Sequence, residues 1–493
     1  MFIAAFALRV YRLDTQSLWW DELFSIAIGQ QPFPDWLLLV LDNRGNPPGI
    51  YFLEAGWTRI GVDAFTVRFL SVCFGVLAVA LMYRVGKLFG GARAGLIASA
   101  LMVVSPHHLW YSQEARMYAP QIFFSLAASY FFLCMLRHPT WRVTLWYALA
   151  SVAVIYFHYH PFFLLAQIAF LVLFRRTYRG VLGYWLVGGG LVGLFYAPWF
   201  WAVFTTGGLE RAPMGWVPAA QWYDPILTLY VFWLGATNDP SALINWASFV
   251  IALVIAGVGV VSARRETNQS AHARAKLVYL LLWLVLPILM VWAISLDLPI
   301  PQKRSAYVDR YLSPEFPAWI ILVALGVTYA MKLSWQKMAI GAAIAAIPLV
   351  ASLGNMYFDP FFARDNWKGA AEFVRAEGNS ARQVRIVRET QQLPILYYGL
   401  GEMPIEVMRL APGESESVWV DLLVQHNPEA QRFWLFSGTI TSNVHRFGAT
   451  PAHQSINARQ DILKQLLDAR LMIEREMLYQ GIWVTAYRPP AGR

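Results

Sequence analysis

Two adjacent carboxylates follow two tryptophans near the start of the chain, in the order Trp19-Trp20-Asp21-Glu22. A carboxylate can take a proton from an attacking hydroxyl, so either residue is a candidate general base. Adjacent residues on a helix point about 100° apart, so the two do not face one reacting atom in the same way. One would act as the base while the other orients a ligand or pairs with an arginine. The spacing fits equally well a solvated surface helix capped by Ser17.

Three further segments place ionisable side chains at the ends of long apolar runs, where such groups are functional candidates. One holds Glu114 and Arg116, for which a mutual salt bridge is the alternative. Another is the turn His158-Tyr159-His160, and the last contains Lys303 and Arg310. Arginine suits phosphate because its planar guanidinium donates two hydrogen bonds at once. These cations therefore predict an anionic partner, either a substrate phosphate or lipid headgroups.

Histidines raise the possibility of a metal site. His107 and His108 are adjacent, and His158 and His160 are two residues apart. The sequence has no His-Glu-x-x-His motif, and its two cysteines both lie in apolar runs. We expect no metal cofactor, with a divalent ion at His107 and His108 as the alternative.

The composition points to a membrane. Of the 493 residues, 57% are apolar and only 14% are charged, against about a quarter charged in soluble domains. The 39 basic and 30 acidic residues give a net charge of +9. The basic residues punctuate apolar runs, as at membrane edges, rather than clustering as in nucleic-acid-binding proteins. The sequence therefore predicts membrane lipids, and no nucleic acid, as partners.

Apolar runs near the ~20 residues that a bilayer requires recur along the first 358 residues. Basic residues mark alternate connections, which the positive-inside rule assigns to the cytoplasm. Met1–Leu8 is interpreted as the tail of a truncated first helix, giving about eleven transmembrane helices. Residues 48–60 predict an interfacial or re-entrant helix in the first outer loop. The other predicted spans are 66–86, 94–110, 117–136, 143–158, 160–174, 181–203, 243–262, 277–296, 313–331 and 337–354.

Charged residues become frequent from Asp359 onward. Asn366–Glu377 has helical spacing, as has 458–467. Short β-rich runs lie at Val384–Val387, Ile405–Met408, Phe433–Phe436, Leu471–Glu476 and Ile482–Tyr487. The predicted organisation is a transmembrane module, residues 1–358, followed by a small extracytoplasmic α/β domain, residues 359–493.

Several motifs recur in an order typical of one family. They are Arg12-Leu13, Trp20-Asp21-Glu22, Asn46-Pro47-Pro48, Val67–Ser71, Tyr111–Tyr118, Arg310-Tyr311-Leu312 and Asp365–Ala371. The set resembles the polytopic GT-C glycosyltransferases of family 39 type, which include protein O-mannosyltransferases and lipid A aminoarabinose transferases, and bacterial members in particular. The resemblance covers nearly the whole membrane part and is looser beyond it.

The resemblance implies an inverting transfer of a hexosyl or pentosyl group from a polyprenyl-phosphate donor to an acceptor hydroxyl. The reaction would be metal-independent, at the outer face of the inner (plasma) membrane, with a protein, glycolipid or glycan as acceptor. Asp21 is the implied catalytic base. We expect the donor phosphate to be held by Arg310, Arg116, Lys303 and Tyr311. Glu22, Glu114, Arg12, Tyr118, His158 and His160 are expected to bind the acceptor or organise the site.

The alternative function is a transporter or flippase of lipid-linked sugars. Such a protein would place charges near the bilayer midplane, on broken helices in pseudo-symmetric halves. In this sequence the polar residues cluster in the predicted outer loops, and no internal repeat is visible. This pattern favours the transferase.

Overall fold

A computed structural model describes most of the chain. The described residues are 1–43, 45–206, 217–267, 271–297, 305–333, 335–377, 383–388, 392–401, 404–408, 416–438, 463–479 and 482–489. The chain separates into two compact units: Met1–Leu13 with Ile28–Met356, and Asp14–Ala27 with Tyr357–Arg493. The predicted transmembrane module, residues 1–358, included the segment Asp14–Ala27, which the structure groups with the C-terminal residues.

Helices make up nearly all of the first 358 residues. They are α1 (Phe2–Val10), α2 (Trp20–Gly29), α3 (Asp35–Asn43), α4 (Gly49–Trp57), α5 (Ala64–Val104), α6 (Pro106–Ser112), α7 (Tyr118–Arg137), α8 (Trp141–Phe157), α9 (Phe162–Leu173), α10 (Arg179–Thr205), α11 (Asp224–Leu234), α12 (Leu243–Thr267), α13 (Ala271–Ser295), α14 (Phe316–Leu333) and α15 (Trp335–Phe358), with a 3-10 helix at Asp309–Glu315.

Seven helical stretches within the described residues are long and apolar enough to cross a membrane, and α8, α9 and α11 are shorter apolar helices. The predicted mainly helical membrane fold is confirmed, and each predicted span contains a helix. The count of about eleven crossings stays a prediction. Helix α4 has nine residues, fewer than a crossing needs, as predicted for 48–60.

Helix α5 is a hairpin. The predicted span 66–86 lies in its first arm, whereas the predicted span 94–110 covers its second arm, which ends at Val104, and continues into α6. The helical backbone breaks at Gly90 and Gly91, and Gly91 has a left-handed φ of 78° that favours glycine. The Ser99 hydroxyl donates to the Val79 carbonyl at 3.1 Å across the arms. The turn therefore lies within the basic connection that contains Arg84, Lys87 and Arg93.

Helices α12 and α14 pack with their backbones in close approach. A Cβ atom on Gly326 would lie 1.8 Å from the carbonyl oxygen of Ile255, and one on Gly259 would lie 2.5 Å from that of Leu322. Membrane helices use small residues in this way because apolar lipid provides no hydrophobic drive for helices to associate.

The C-terminal unit is built on a mixed sheet of five strands in the order β2-β1-β3-β5-β4. The strands are β1 (Gln383–Arg388), β2 (Ile405–Met408), β3 (Arg432–Gly438), β4 (Met472–Tyr479) and β5 (Ile482–Arg488). Strand β1 pairs in parallel with β2 and β3, while β5 pairs antiparallel with β3 and β4. All five predicted strands are confirmed, and with them the small α/β domain.

Side chains alternate along β3, so each face of the sheet presents apolar residues. Helices pack on both faces. Trp434 and Phe436 pack with α16 (Trp367–Ala376) and with α17 (Gln392–Tyr397). Phe433 and Leu435 of β3 face the other core, with α18 (Glu416–His426) and the helical residues 463–468. The predicted helix at Asn366–Glu377 is α16, capped by Asn366, and the described part of the helix predicted at 458–467 is helical. Sequence reasoning missed α17 and α18.

The close approach of α12 and α14 predicts a strong steric effect at one glycine. Gly326→Ala should lower the thermal unfolding temperature of the purified protein, because overpacking costs about 1–3 kcal/mol. Gly257 lies in α12 of the same helix pair, but a Cβ atom there would lie in open space. Gly257→Ala should therefore leave the unfolding temperature unchanged. Equal unfolding temperatures for the two variants would contradict the packing.

Candidate active site

The turn between α6 and α7 buries two charged side chains. Glu114 is 3% exposed and Arg116 is 4% exposed. The turn is tied to the end of α1, because the Gln113 side-chain amide donates to the carbonyls of Arg9 and Tyr11, each at 2.9 Å. The predicted candidates Glu114 and Arg116 therefore lie on a fixed backbone.

Arg116 is held by the Asn46-Pro47-Pro48 motif and by α4. The Asn46 side-chain amide satisfies both neighbours when its nitrogen faces the Gly45 carbonyl and its oxygen faces Arg116. In that orientation the oxygen accepts from Arg116 Nη2 at 3.1 Å. The Tyr51 hydroxyl hydrogen-bonds with Asn46 and Arg116, and the side chain of Tyr51 is 1% exposed. Pro48 precedes the start of α4, which explains how this motif delivers Tyr51 to the arginine.

Arg310 and Tyr311 lie in the 3-10 helix before α14. The Ser313 hydroxyl donates to the Arg310 carbonyl at 2.7 Å, and the Trp283 indole donates to the Pro314 carbonyl at 2.9 Å. The Arg310 guanidinium carbon lies 5.7 Å from the centroid of the Tyr311 ring. These contacts fix the irregular backbone that presents the arginine.

Arg116 and Arg310 converge on two buried aromatic side chains. Tyr118 experiences the charges of both arginines and of Glu114. The His158 ring lies 4.3 Å from the Tyr311 ring. His158 also experiences the charges of His160, Arg116 and Arg310. Its imidazole therefore lies beside the two arginines.

His160 has a different partner. Its Nε2 lies 2.8 Å from Oε1 of Glu315, and both side chains are buried. Sequence reasoning missed Glu315, although a carboxylate at the start of an apolar run is a functional candidate. The structure thus brings Arg116, Tyr118, His158, Arg310 and Tyr311 into one cluster, which we call the arginine cluster, with the pair His160–Glu315 beside His158.

The histidines proposed as an alternative metal site have other contacts. His108 Nδ1 lies 2.6 Å from Nη2 of the fully buried Arg9. The His107 ring packs against Tyr111, Phe232 and Phe316. Within the described ranges, no three His, Cys, Asp or Glu side chains are arranged to hold a metal ion. Metal independence stays a prediction.

Asp21 and Glu22 occupy the first turn of α2, in the C-terminal unit. Asp21 is half-buried, whereas Glu22 is fully buried and accepts from Arg364 Nη1 at 3.3 and 3.4 Å. The sequence left open which of the two carboxylates pairs with an arginine. Glu22 makes such a contact. Arg12 is exposed after α1 with a left-handed φ of 55°, and Lys303 lies outside the described residues.

Asp365 follows Arg364 and is half-buried. Its Oδ1 atom is enclosed without a hydrogen-bond partner. Burial raises the pKa of this carboxyl to about 7. A carboxyl whose pKa is raised by burial is a candidate acid–base group. Sequence reasoning included Asp365 in a motif but did not select it as a site residue.

The comparisons with known proteins support this reading of the fold. A family model described as dolichyl-phosphate-mannose-protein mannosyltransferase matches residues 45–201. The structure of ArnT from Cupriavidus metallidurans in the apo state matches with a TM-score of 0.63 at 12% identity, covering 98% of this chain and 97% of that one. The chain has the GT-C fold.

Two further GT-C structures match at similar identity. ArnT from C. metallidurans bound to undecaprenyl phosphate gives a TM-score of 0.60 at 12% identity, covering 98% and 97% of the two chains. An oligosaccharyltransferase from Archaeoglobus fulgidus gives 0.52 at 11% identity, covering 99% of this chain and 73% of that one. No curated protein matches this chain. The predicted resemblance to GT-C membrane glycosyltransferases is confirmed.

The raised pKa of Asp365 predicts a pH-dependent stability. The folded protein holds this proton more tightly than the unfolded chain, so stability is present in acid and falls as pH rises between roughly 4 and 7. Asp365→Asn should flatten this part of the pH dependence of the unfolding temperature and raise that temperature at pH 8. Asp14→Asn, at an exposed carboxylate in the same compact unit, is the control. A profile of Asp365→Asn that parallels the wild type would contradict the burial of an ionisable group here.

Proposed function

We propose that this GT-C protein is an inverting glycosyltransferase that moves a sugar from a polyprenyl-phosphate donor to an acceptor hydroxyl. The arginine cluster carries the proposal. Two guanidinium groups, Arg116 and Arg310, act on the same buried side chains, Tyr118 and His158. Arg116 is buried and Arg310 is half-buried, and placing two cations close together is costly unless anions or polar groups compensate them. A lipid-linked phosphate is an anion that reaches such a site from the membrane.

The comparisons support the donor class. One structure with this fold contains undecaprenyl phosphate, and the matching family model is named for a dolichyl-phosphate-linked sugar. We extend this donor class, a sugar on a polyprenyl phosphate, to the present chain. A hexosyl or pentosyl group, and a protein, glycolipid or glycan acceptor, all fit the proposal.

The proposed reaction is a single displacement at the anomeric carbon. The acceptor oxygen forms a bond to that carbon as the bond to the phosphate oxygen breaks, and the configuration inverts. The phosphate leaves with the bonding electron pair, so its charge changes from about −1 to −2. Arg116 and Arg310 stabilise this added charge, since donors aimed at developing charge stabilise a transition state most.

Asp21 is proposed as the base that takes the acceptor proton. The resemblance implies this role. The structure supports it, because the neighbouring carboxylate of Glu22 forms an ion pair. Glu22 is buried against Arg364, whereas Asp21 is half-exposed in the first turn of α2. The proposed chemistry needs no metal ion and takes place at the outer face of the plasma membrane, with the C-terminal domain extracytoplasmic.

The base assignment gives the first functional prediction. Asp21→Asn should lower the transfer rate by about 10²- to 10⁴-fold, because the amide cannot accept the proton. Membranes that contain each variant would be incubated with a panel of polyprenyl-phosphate sugars, and transfer of labelled sugar measured. Asp14→Asn, an exposed change in the same segment, is the matched control and should transfer normally.

Full activity of Asp21→Asn would remove the base from the proposal. Movement of labelled lipid-linked sugar across sealed vesicles, without transfer to any acceptor, would instead favour the transporter or flippase.

The arginine cluster gives the second functional prediction. Arg310→Met should lower kcat/KM for the donor by about 10²-fold or more, because a charge-assisted contact to phosphate is lost. Arg310→Lys should be intermediate, since it keeps the charge but loses the planar fork. Arg142→Met removes an exposed arginine at the start of α8, the end opposite His158, and serves as the control. If Arg310→Met and Arg142→Met behave alike, Arg310 does not bind the donor.

A further inference from the structure

We infer that the C-terminal domain positions the catalytic carboxylate, and that Arg364 is the positioning residue that acts through Glu22. The inference rests on the proposed function, in which Asp21 is the base. In this proposal the C-terminal domain contributes to catalysis by orienting the base. This role goes beyond covering a site or binding an acceptor. The observations that carry it all lie within one compact unit, Asp14–Ala27 with Tyr357–Arg493.

The chain leading into α2 is bound to the C-terminal residues by backbone and side-chain hydrogen bonds. The Lys368 backbone N–H donates to the Ser17 hydroxyl at 3.0 Å, and this hydroxyl donates to the Asn366 side-chain oxygen at 3.4 Å. The Leu18 backbone N–H donates to the Tyr398 hydroxyl at 2.8 Å. The segment before α2 is therefore held in two places, by residues at the start of α16 and by Tyr398, which follows α17.

The ion pair Glu22–Arg364 completes the attachment inside the first turn of α2. Glu22 is fully buried and Arg364 is 7% exposed. Glu22 Oε2 also accepts from the backbone N–H of Trp19 at 3.3 Å, as a capping-box carboxylate does. The Arg364 backbone N–H donates to the Gln16 side chain at 3.3 Å. Arg364 thus holds α2 through its side chain and the segment before α2 through its backbone.

Asp21 precedes Glu22, so the direction of its carboxylate follows from the rotation of this helical turn. The two side chains diverge by about 100°, and locking Glu22 locks Asp21. Removing one partner of a buried ion pair leaves the other charged and uncompensated. Without Arg364, Glu22 loses this ion pair, and the first turn of α2 loses a contact that fixes its rotation. A displacement of about 1 Å in a reacting group costs about 10²-fold in rate.

The test uses the full-length protein in lipid nanodiscs with polyprenyl-phosphate sugar donors. Arg364→Met should lower kcat by about 10- to 100-fold and leave the donor KM within about twofold. Arg364→Lys should recover part of kcat because it restores the charge. In the Asp21→Asn background, Arg364→Met should cause no further loss, since the group that it positions is already absent.

The matched control is Arg432→Met. Arg432 forms a partly buried ion pair with Glu474 at 2.7 Å, and its guanidinium lies 5.4 Å from the Trp434 ring centroid. Among the described residues its side chain contacts Glu377, Glu474 and Trp434, none of which lies in α2, so Arg432→Met perturbs the same sheet domain and should keep kcat. Equal kcat for Arg364→Met and Arg432→Met would overturn the inference, as would a loss that falls entirely on donor KM.

A measurement without activity separates this inference from the proposed function. Amide hydrogen exchange of the peptide covering Asp14–Ala27 should become faster in Arg364→Met than in Arg432→Met or the wild type. Unchanged exchange in Arg364→Met would overturn the positioning role whatever the enzyme does. Full activity of Asp21→Asn, by contrast, would overturn the proposed base while leaving the attachment of α2 intact.

Discussion

The burial of charged side chains in a mostly apolar chain is the constraint on which the rest of the structure depends. Each buried charge requires polar groups around it, because an unpaired ion in a low-dielectric interior is unstable. Arg9 is satisfied by the carbonyls of Ala5 and Met102 together with the side chains of Ser112 and His108. This arrangement joins α1 to α5 and α6, so a single arginine determines how three helices meet.

The same constraint explains why the candidate residues lie where helices end. Within a continuous helix most backbone polar groups are already paired with each other, so they offer a buried ion fewer partners than irregular backbone does. Arg116 lies in the turn between α6 and α7, His158 follows α8, and Arg310 lies in the 3-10 helix before α14. The irregular backbone supplies polar partners, while the long helices on either side supply rigidity.

Local patterns made most of the fold predictable, whereas partners across the chain were not. Apolar runs and alternating strands are local signals, so the long apolar helices of the membrane unit and all five strands followed from them, whereas the short helices α3 and α11 did not. The partner of Glu22 lies 342 residues away and that of His160 lies 155 residues away, and no local pattern encodes either pair. For the same reason the grouping of Asp14–Ala27 with the C-terminal residues was missed. Helix α17 has six residues, too few for a helical period to stand out.

The charge of the proposed leaving group determines what the arginine cluster contributes to the reaction. The donor phosphate diester carries about one negative charge and the leaving phosphate about two, so Arg116 and Arg310 attract the leaving phosphate more strongly than the bound donor. An arrangement that matches the more highly charged species stabilises the transition state more than the bound donor, and only that difference accelerates the chemical step. It also holds the leaving lipid phosphate firmly, so in the proposed cycle release of that product competes with chemistry as the slow step.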